Sequence, residues 1–336
     1  MSPNHQPPCT ITPAIVTLVA TIGESVGQLS VRLEAVRDLR LRRINRIRSI
    51  HASLAIEGNT LSEAQITAIL DGKRVVAPPR EILEARNALK AYEQLTAWQP
   101  ASEADLLAAH RAMMAGLVED AGTWRARGVG VMAGDTVIHV APQADRVPHL
   151  MRTLLRWLAD TALHPLVAGA IFHYEFEFIH PFSDGNGRMG RLWQTLILTR
   201  WNPLFADIPV ESLVHEHQAA YYQAIRASTQ QADSAPFVEF MLSRILEAIT
   251  SAGPQVAPQV TPQVARLLQA MQGDMSREAL QDALALKDRK SFRERYLKPA
   301  LAHGLIEMSI PDKPNSRLQQ YRLTEQGRHW QRQKDS

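Results

Sequence analysis

The sequence predicts a mainly α-helical protein, and three observations lead there. Apolar residues recur at spacings of three and four in segment after segment of the 336 residues. Proline and glycine fall between those segments, where helices stop. The period-two alternation of strands is confined to 122–141 and to two short tail segments, 305–310 and 320–323. An apolar share of 45% suits a chain with a real core, and the length suits one large domain with a smaller companion. No apolar run reaches the roughly 18 residues of a membrane span, and no basic start followed by an apolar stretch marks a secretory leader. A cytoplasmic location without membrane contact is therefore expected. The one cysteine, Cys9, leaves no internal disulfide.

Residues 1–22, proline-rich at the start, are expected to be a flexible lead-in. Residues 23–110 read as an N-terminal helical region: a long helix from Gly23 to about Ile56, then 62–71, 81–98 and a helix opening at Ser102. Arg37, Arg40, Arg42, Arg43, Arg46 and Arg48 line the first of these. A solvated face explains them better than a face for acidic partners. The long helix ends in Ser53-Leu-Ala-Ile-Glu57-Gly58-Asn59, where Gly58 and Asn59 suit a C-cap. An acid in a last turn opposes the helix dipole, so Glu57 invites a cationic partner.

Residues 111–250 carry the core. Within them 122–141 reads as a hairpin with Gly134-Asp135 at its turn. Helices follow over 145–160, 166–178, 213–229 and 237–249. His110 reads as a structural histidine. His173 and Glu177, at i and i+4, read as a buried hydrogen-bonded pair in preference to metal ligands. Residues 251–263 are a Pro-Gln-Val repeat expected to be an extended linker. Residues 264–336 suggest three helices and a hairpin, the elements of a winged helix. This tail is the basic part: 254–336 carry 14 Lys and Arg against 9 Asp and Glu, net +5, and the remainder 23 against 25, net −2. Lys287, Arg289, Lys290, Arg293, Arg295 and Lys298 cluster on its third helix. DNA phosphates and protein docking are both open to it.

The chemistry is concentrated in His180-Pro-Phe-Ser-Asp-Gly-Asn-Gly-Arg-Met-Gly-Arg191. An apolar run precedes it and a helix pattern follows, so the stretch is a tight loop that opens a helix. Amides at a glycine-rich helix N-terminus form an anion site, most often for phosphate. Arg188 and Arg191, three apart, share one face of that helix. Asp184 is a hard oxygen ligand suited to Mg²⁺ held partly through phosphate oxygens. His180 titrates near neutrality and can take a proton from a hydroxyl. Together they suggest transfer of a nucleotidyl or phosphoryl group to a hydroxyl.

The stretch resembles the Fic-family motif, His-x-Phe-x-Asp/Glu-Gly-Asn-Gly-Arg-x-x-Arg, at every specified position. The resemblance implies a Fic-type helical core and transfer of AMP from ATP to a Ser, Thr or Tyr hydroxyl of a protein. It makes His180 the general base and Asp184 the ligand of Mg²⁺, with Mn²⁺ an acceptable substitute. It assigns phosphate to Gly185, Asn186, Gly187, Arg188 and Arg191, and makes Phe182 the anchor of the loop. Ser53 to Gly58 resembles the family's inhibitory signature, Ser/Thr-x-x-x-Glu-Gly/Asn, on a helix at about 44–58. By that resemblance Glu57 reaches Arg191 and blocks the γ-phosphate. The hairpin is the family's flap, which holds the target segment by strand pairing. Tyr221-Tyr222 is placed beside the adenine, although the family's following Trp is replaced here by 231–237. Candidate partners are a protein substrate, a second copy of the chain and, through the tail, DNA. The alternatives are removal of AMP by the same site and a DNA-binding regulator whose core senses nucleotide.

Overall fold

The computed structural model describes residues 6–34, 39–133, 136–252, 261–286, 288–302, 304–309, 319–324, 327–328 and 330–331. The chain divides into two units, Met1–Gly253 and Pro254–Ser336. The expected linker falls largely on 253–260, outside the described residues.

The first unit is helical. Its first helix, α1 (Pro13–Glu34), runs along the unit's last helix and buries Ile15, Ile22, Val26 and Leu29, a stripe at helical spacing. That corrects the expectation of a flexible lead-in over 1–22. Residues ahead of the helix are also tied down. Thr10 donates from its amide and its hydroxyl to the Asp233 carboxylate, and Pro8 accepts from the Ser234 amide. Pro8 and Thr10 are held by partners more than 200 residues away in sequence, which a local reading cannot see. The expected helix 23–56 is described up to Glu34 as α1 and from Leu39 as α2 (Leu39–Ile56), residues 35–38 lying outside the described residues.

After α2 come α3 (Glu63–Leu70), α4 (Pro79–Glu93) and α5 (Glu103–Met114). Ser62 caps α3 in a reciprocal capping box with Gln65, and Ser102 caps α5 through the Asp105 amide. The α2 arginines are engaged with acids: Arg42 pairs with Asp207, Arg43 with Asp71 and Arg48 with Glu63. This agrees with a solvated, ion-paired face. A hairpin of β1 (Gly130–Ala133) and β2 (Thr136–Val140) follows, antiparallel, with a bulge between Val131 and Met132. The expected turn, Gly134-Asp135, lies outside the described residues.

The centre of the unit is α7 (Pro165–Ile179) against α8 (Asn186–Trp201), flanked by α6 (Val147–Asp160). Pro165 occupies the first turn of α7, and His164 accepts from the Leu166 amide. Most of α7 is buried, as its all-round apolar pattern requires. On α8 the fully buried Trp193 stacks on Trp98 at 6.2 Å and donates to the Pro100 carbonyl. Each such large side chain contributes roughly 1.5–3 kcal/mol by leaving water. The expected helix 213–229 is two, α9 (Val210–Glu216) and α10 (Gln218–Gln231), broken at His217. Buried Leu213, Val214, Tyr221, Ala224 and Ile225 run through the break with one spacing, which hides it in the sequence. The unit closes with α11 (Ala235–Ala252).

The second unit has its own core of Val264, Leu267, Leu280, Phe292, Leu305 and Tyr321. Its order is α12 (Pro262–Ala270), β3 (Met275–Ser276), α13 (Arg277–Ala283), α14 (Arg289–Phe292), a π turn over Arg293–Leu297, α15 (Lys298–Ala302), β4 (Ile306–Met308) and β5 (Gln320–Leu323). The antiparallel sheet has the order β3-β5-β4. The two-residue β3 was not anticipated, being too short to show alternation. Residues 311–318, between the expected strands, lie outside the described residues. No helix among the described residues is long and apolar enough to cross a membrane.

Candidate active site

The site is built where α7 stops and α8 starts. His180 ends α7 in the left-handed region, at φ 50° and ψ 62°, a conformation that costs a residue with a Cβ about 1–2 kcal/mol. The turn is held from both sides. The His180 amide donates to the Phe176 carbonyl, and Arg125 Nε donates to the His180 carbonyl at 2.7 Å. Strain kept by surrounding bonds is common at functional residues. The imidazole is one-fifth exposed, and its Nδ1 lies 3.9 Å from Glu177 Oε2.

Residues 182–186 close on themselves. The Phe182 amide donates to Asn186 Oδ1, and Asn186 Nδ2 donates back to the Phe182 carbonyl, both at 2.9 Å. The Asn186 side chain is thus spent on the loop, and what it can offer phosphate is its backbone amide. Phe182 is fully buried, with His110 stacked on it at 3.6 Å and Trp124 at 5.1 Å. His110 takes the Gly122 amide on Nδ1, so its Nε2–H donates to the Asp184 carbonyl at 3.0 Å. Burial holds this imidazole down at about 4, and it is neutral at ordinary pH.

Asp184 is partly exposed. Its Oδ1 accepts from the Gly185 amide at 2.6 Å and from Arg188 at 3.2 Å, and its Oδ2 from Arg80 at 3.4 Å. Of the expected phosphate amides, that of Gly185 is therefore engaged by Asp184. Those of Asn186 and Gly187 open α8, where amides have no partner within the helix. Arg188 is buried and also lies 3.7 Å from Glu84 Oε1, so two carboxylates pin it.

On the next turn Arg191 is only 2% exposed at its side chain. It donates from Nε to Ser53 Oγ at 3.1 Å, and from one terminal nitrogen to the Ser53 carbonyl at 2.9 Å and to Glu57 Oε1 at 2.7 Å. Burial alone would disfavour the charge, but Glu57, with Tyr221 and Glu177 beside it, outweighs that and keeps the guanidinium above its ordinary range. Glu57 reaches this point because α2 ends in a Schellman closure. The Asn59 amide donates to the Leu54 carbonyl and the Gly58 amide to the Ala55 carbonyl, with Gly58 at φ 88°. A Cβ at Gly187 would collide with Glu57 Oε1. The carboxylate thus lies directly on the first turn of α8, the place expected of a phosphate.

Behind this surface is a buried polar cluster. His173 Nδ1 donates to Gln194 Oε1 at 2.6 Å, and the Tyr221 hydroxyl donates to His173 Nε2 at 3.1 Å. Tyr221 is almost wholly buried and committed to this bond, so it does not offer its ring to a base. The expectation of an adenine contact is thereby corrected for Tyr221 and narrows to Tyr222, which lines a surface pocket with Gln223 and Arg226. Glu177 is buried beside Arg191 and His173, and Gly190 makes room for it, since a Cβ there would come within 2.9 Å of its Oε1. Burial raises this carboxyl to about 8, against the pull of Arg191 and with help from Glu57.

Sequence reasoning missed Arg125, Arg80 and Glu84. Arg125 stands just ahead of β1, and apart from the Arg127 carbonyl its side-chain partners are 17 to 55 residues away in sequence. Its one signal is a cation beside Trp124 in a stretch otherwise built to turn. Glu84 and Arg80 sit on an ordinary amphipathic helix with nothing to mark them. An apolar cavity of about 290 Å³, lined by Leu150, Trp157, Glu175 and Phe178, holds none of residues 180–191.

Residues 100–198 match the model of the Fic/DOC family, and residues 262–324 match that of the Filamentation induced by cAMP protein Fic-like, C-terminal domain. The chain is 54% identical to a solved Fic family protein from Desulfovibrio desulfuricans G20, covering 96% of this chain and 99% of that one with a TM-score of 0.73. It is 31% identical to the protein adenylyltransferase Fic of Nematostella vectensis, over 57% of this chain and 45% of that protein. To the protein of the same name from Culex quinquefasciatus it is 32% identical, over 58% and 39%. The chain thus spans less than half the length of these curated relatives. Motif, fold and full-length similarity to the Desulfovibrio protein agree: the chain belongs to the Fic family.

Proposed function

We propose that this protein transfers AMP from ATP to a hydroxyl of a protein side chain, and that Glu57 restrains it. The observation that carries the reading is the meeting of His180, Asp184 and the first turn of α8 in one closed loop, with Arg191 one turn on. Triphosphate would lie on the Asn186 and Gly187 amides, with Arg188 and Arg191 on its outer oxygens. His180 takes the proton of the hydroxyl. The oxygen then forms a bond to the α-phosphorus, the bond from that phosphorus to the β-phosphate bridge breaks, and pyrophosphate leaves. Asp184 suits a divalent ion, being a partly exposed carboxylate at the edge of a phosphate site, now balanced by Arg80 and Arg188. Magnesium or manganese bound there would neutralise charge on the phosphates. Names of relatives that match over part of their length support the activity, and the target remains for the experiment to identify.

Glu57 competes with this arrangement for Arg191 and for space above Gly187. A displaced outer phosphate leaves the α-phosphorus out of line, and about an ångström of misplacement costs roughly a hundredfold in rate. Glu57→Gly is expected to raise incorporation of α-labelled ATP into the protein itself or a lysate protein by tenfold or more. Mass spectrometry of labelled bands then names the modified side chain. An unchanged rate with fold and ATP binding intact overturns the restraint. The reverse reaction, with Glu57 orienting water to release AMP, uses the same groups. It is favoured if labelled product loses AMP faster with wild type than with Glu57→Gly.

A second reading concerns the tail. Its helix–strand–helix–helix–strand–strand order and the exposed Arg289, Arg293 and Arg295 support a winged helix that meets DNA phosphate. Lys298 is paired with Glu294, and Lys287 lies outside the described residues. Duplex affinity of the full chain should then fall about tenfold or more between 50 and 200 mM salt. Salt-independent or absent binding moves the tail to protein docking.

A further inference from the structure

Arg125 is a charged side chain only 3% exposed, yet no carboxylate balances it among the described residues. Its donors go to backbone carbonyls instead. Nε bonds the His180 carbonyl at 2.7 Å, and one terminal nitrogen bonds Pro142 at 2.6 Å and Ile179 at 3.3 Å. The other terminal nitrogen bonds Arg127 at 2.7 Å, and the residue's own amide donates to the Pro181 carbonyl at 3.0 Å. Two groups of acceptors are served. Residues 179, 180 and 181 are the end of α7 and the residues that set the base. Residues 127 and 142 are the two stems of the β1–β2 hairpin.

The choice of arginine follows from the geometry. Carbonyls at a helix C-terminus carry partial negative charge and lack partners within the helix, so they favour a cation. Only a guanidinium has planar donors spread widely enough to serve four carbonyls at once. A lysine ammonium is a point charge with three donors.

We infer that Arg125 is a positioning residue that fixes the hairpin stems relative to the end of α7 that carries His180. This rests on the AMP-transfer reading, in which a strand-paired target segment offers its hydroxyl to His180. If the hairpin holds the target and the imidazole takes its proton, their separation sets whether the hydroxyl arrives within hydrogen-bond reach. One side chain spans that separation. Arg125 touches neither nucleotide nor hydroxyl and acts through the backbone on either side of it.

The test uses the full chain carrying Glu57→Gly, so that turnover is measurable, and compares Arg125→Lys, Arg125→Ala and the parent. Arg125→Lys is expected to lower kcat about a hundredfold, the cost of roughly an ångström of misplacement. It should raise KM for the protein target, with the ATP dissociation constant and the pH profile unchanged. N-ethylguanidine should restore at least tenfold of the activity lost by Arg125→Ala, and none of that lost by His180→Ala. Amide hydrogen exchange over 127–142 should rise in Arg125→Lys. Turnover within threefold of the parent, or a loss that tracks weaker ATP binding and is not rescued by N-ethylguanidine, overturns the inference. Unchanged hairpin exchange also overturns it. Where the parent shows no transfer at all but hairpin exchange still rises in Arg125→Lys, the enzyme reading fails and the link between hairpin and α7 stands.

Discussion

Two buried arginines flank the motif loop, and they are satisfied in different ways. Arg125, on the His180 side, is bonded to backbone carbonyls alone. Arg191, on α8, is bonded to a hydroxyl, a carbonyl and a carboxylate. Carbonyls of the main chain cannot leave without unfolding a segment. A carboxylate on a side chain can rotate away. On the readings proposed above, the difference separates a strut from a site: Arg125 is tied to main chain on every side, whereas Arg191 holds a carboxylate whose place another anion could take.

That contrast can be broken most sharply by removing one group on each side in the Glu57→Gly background. His180→Ala should cut transfer by about 10²–10⁴-fold, the usual worth of a general base, with the ATP dissociation constant little changed. Arg191→Ala should do the opposite first. It should weaken ATP binding by about tenfold or more, from the loss of a charge-assisted bond worth roughly 1.5–3 kcal/mol. Titration calorimetry with ATP beside transfer kinetics reads both. Equal losses of affinity in the two variants would erase the distinction between the sides.

A smaller effect concerns Glu177, which stands between them. Its carboxyl is raised to about 8 in the fold, chiefly by burial. The native state therefore binds a proton that the unfolded chain has released, and stability falls as pH rises from the ordinary carboxylate range through about 8. The groups facing it are His173 and His180 on or at the end of α7, Arg191 on α8, Tyr221 on α10 and Glu57 at the end of α2. Glu177→Gln should flatten this slope and melt a few degrees above wild type at pH 9, with a smaller gap at pH 5. Parallel melting curves across that range would show the carboxyl to be ordinary.

Much of the site was legible because its chemistry is local. His180, Asp184 and the residues up to Arg191 lie within twelve positions, and loop and helix follow from the glycines and the apolar run beside them. Glu57 was legible through the signature Ser53 to Gly58 beside the motif, since the helix end alone reads more readily as a surface carboxylate. Its carboxylate at a C-terminus needs a cation, and the structure supplies Arg191 from 134 residues away. What stayed hidden depends on contacts with no local signature. Arg125 needs carbonyls at 142 and 179–180, and the early strap needs Asp233. Tyr221 shows the converse. A tyrosine pair reads equally as a surface for a base or as core, and the bond to His173 decides for core at that position. The two-residue strand β3 lacks enough residues to alternate, so only its partner β5 reveals it.

The Glu57–Arg191 pair is unequal in its access to water. The carboxylate keeps 35% of its side-chain surface exposed, while the guanidinium keeps 2%. One member can therefore be drawn out into solvent with the core closed, and the other cannot. If Glu57 restrains transfer as proposed, that control is cheap to alter, because a substitution at the end of α2 leaves the packing of α7 on α8 intact. A lineage, or an engineer, can retune how firmly Arg191 is occupied through one solvent-facing position, without rebuilding the buried arginine that any anion arriving there must meet.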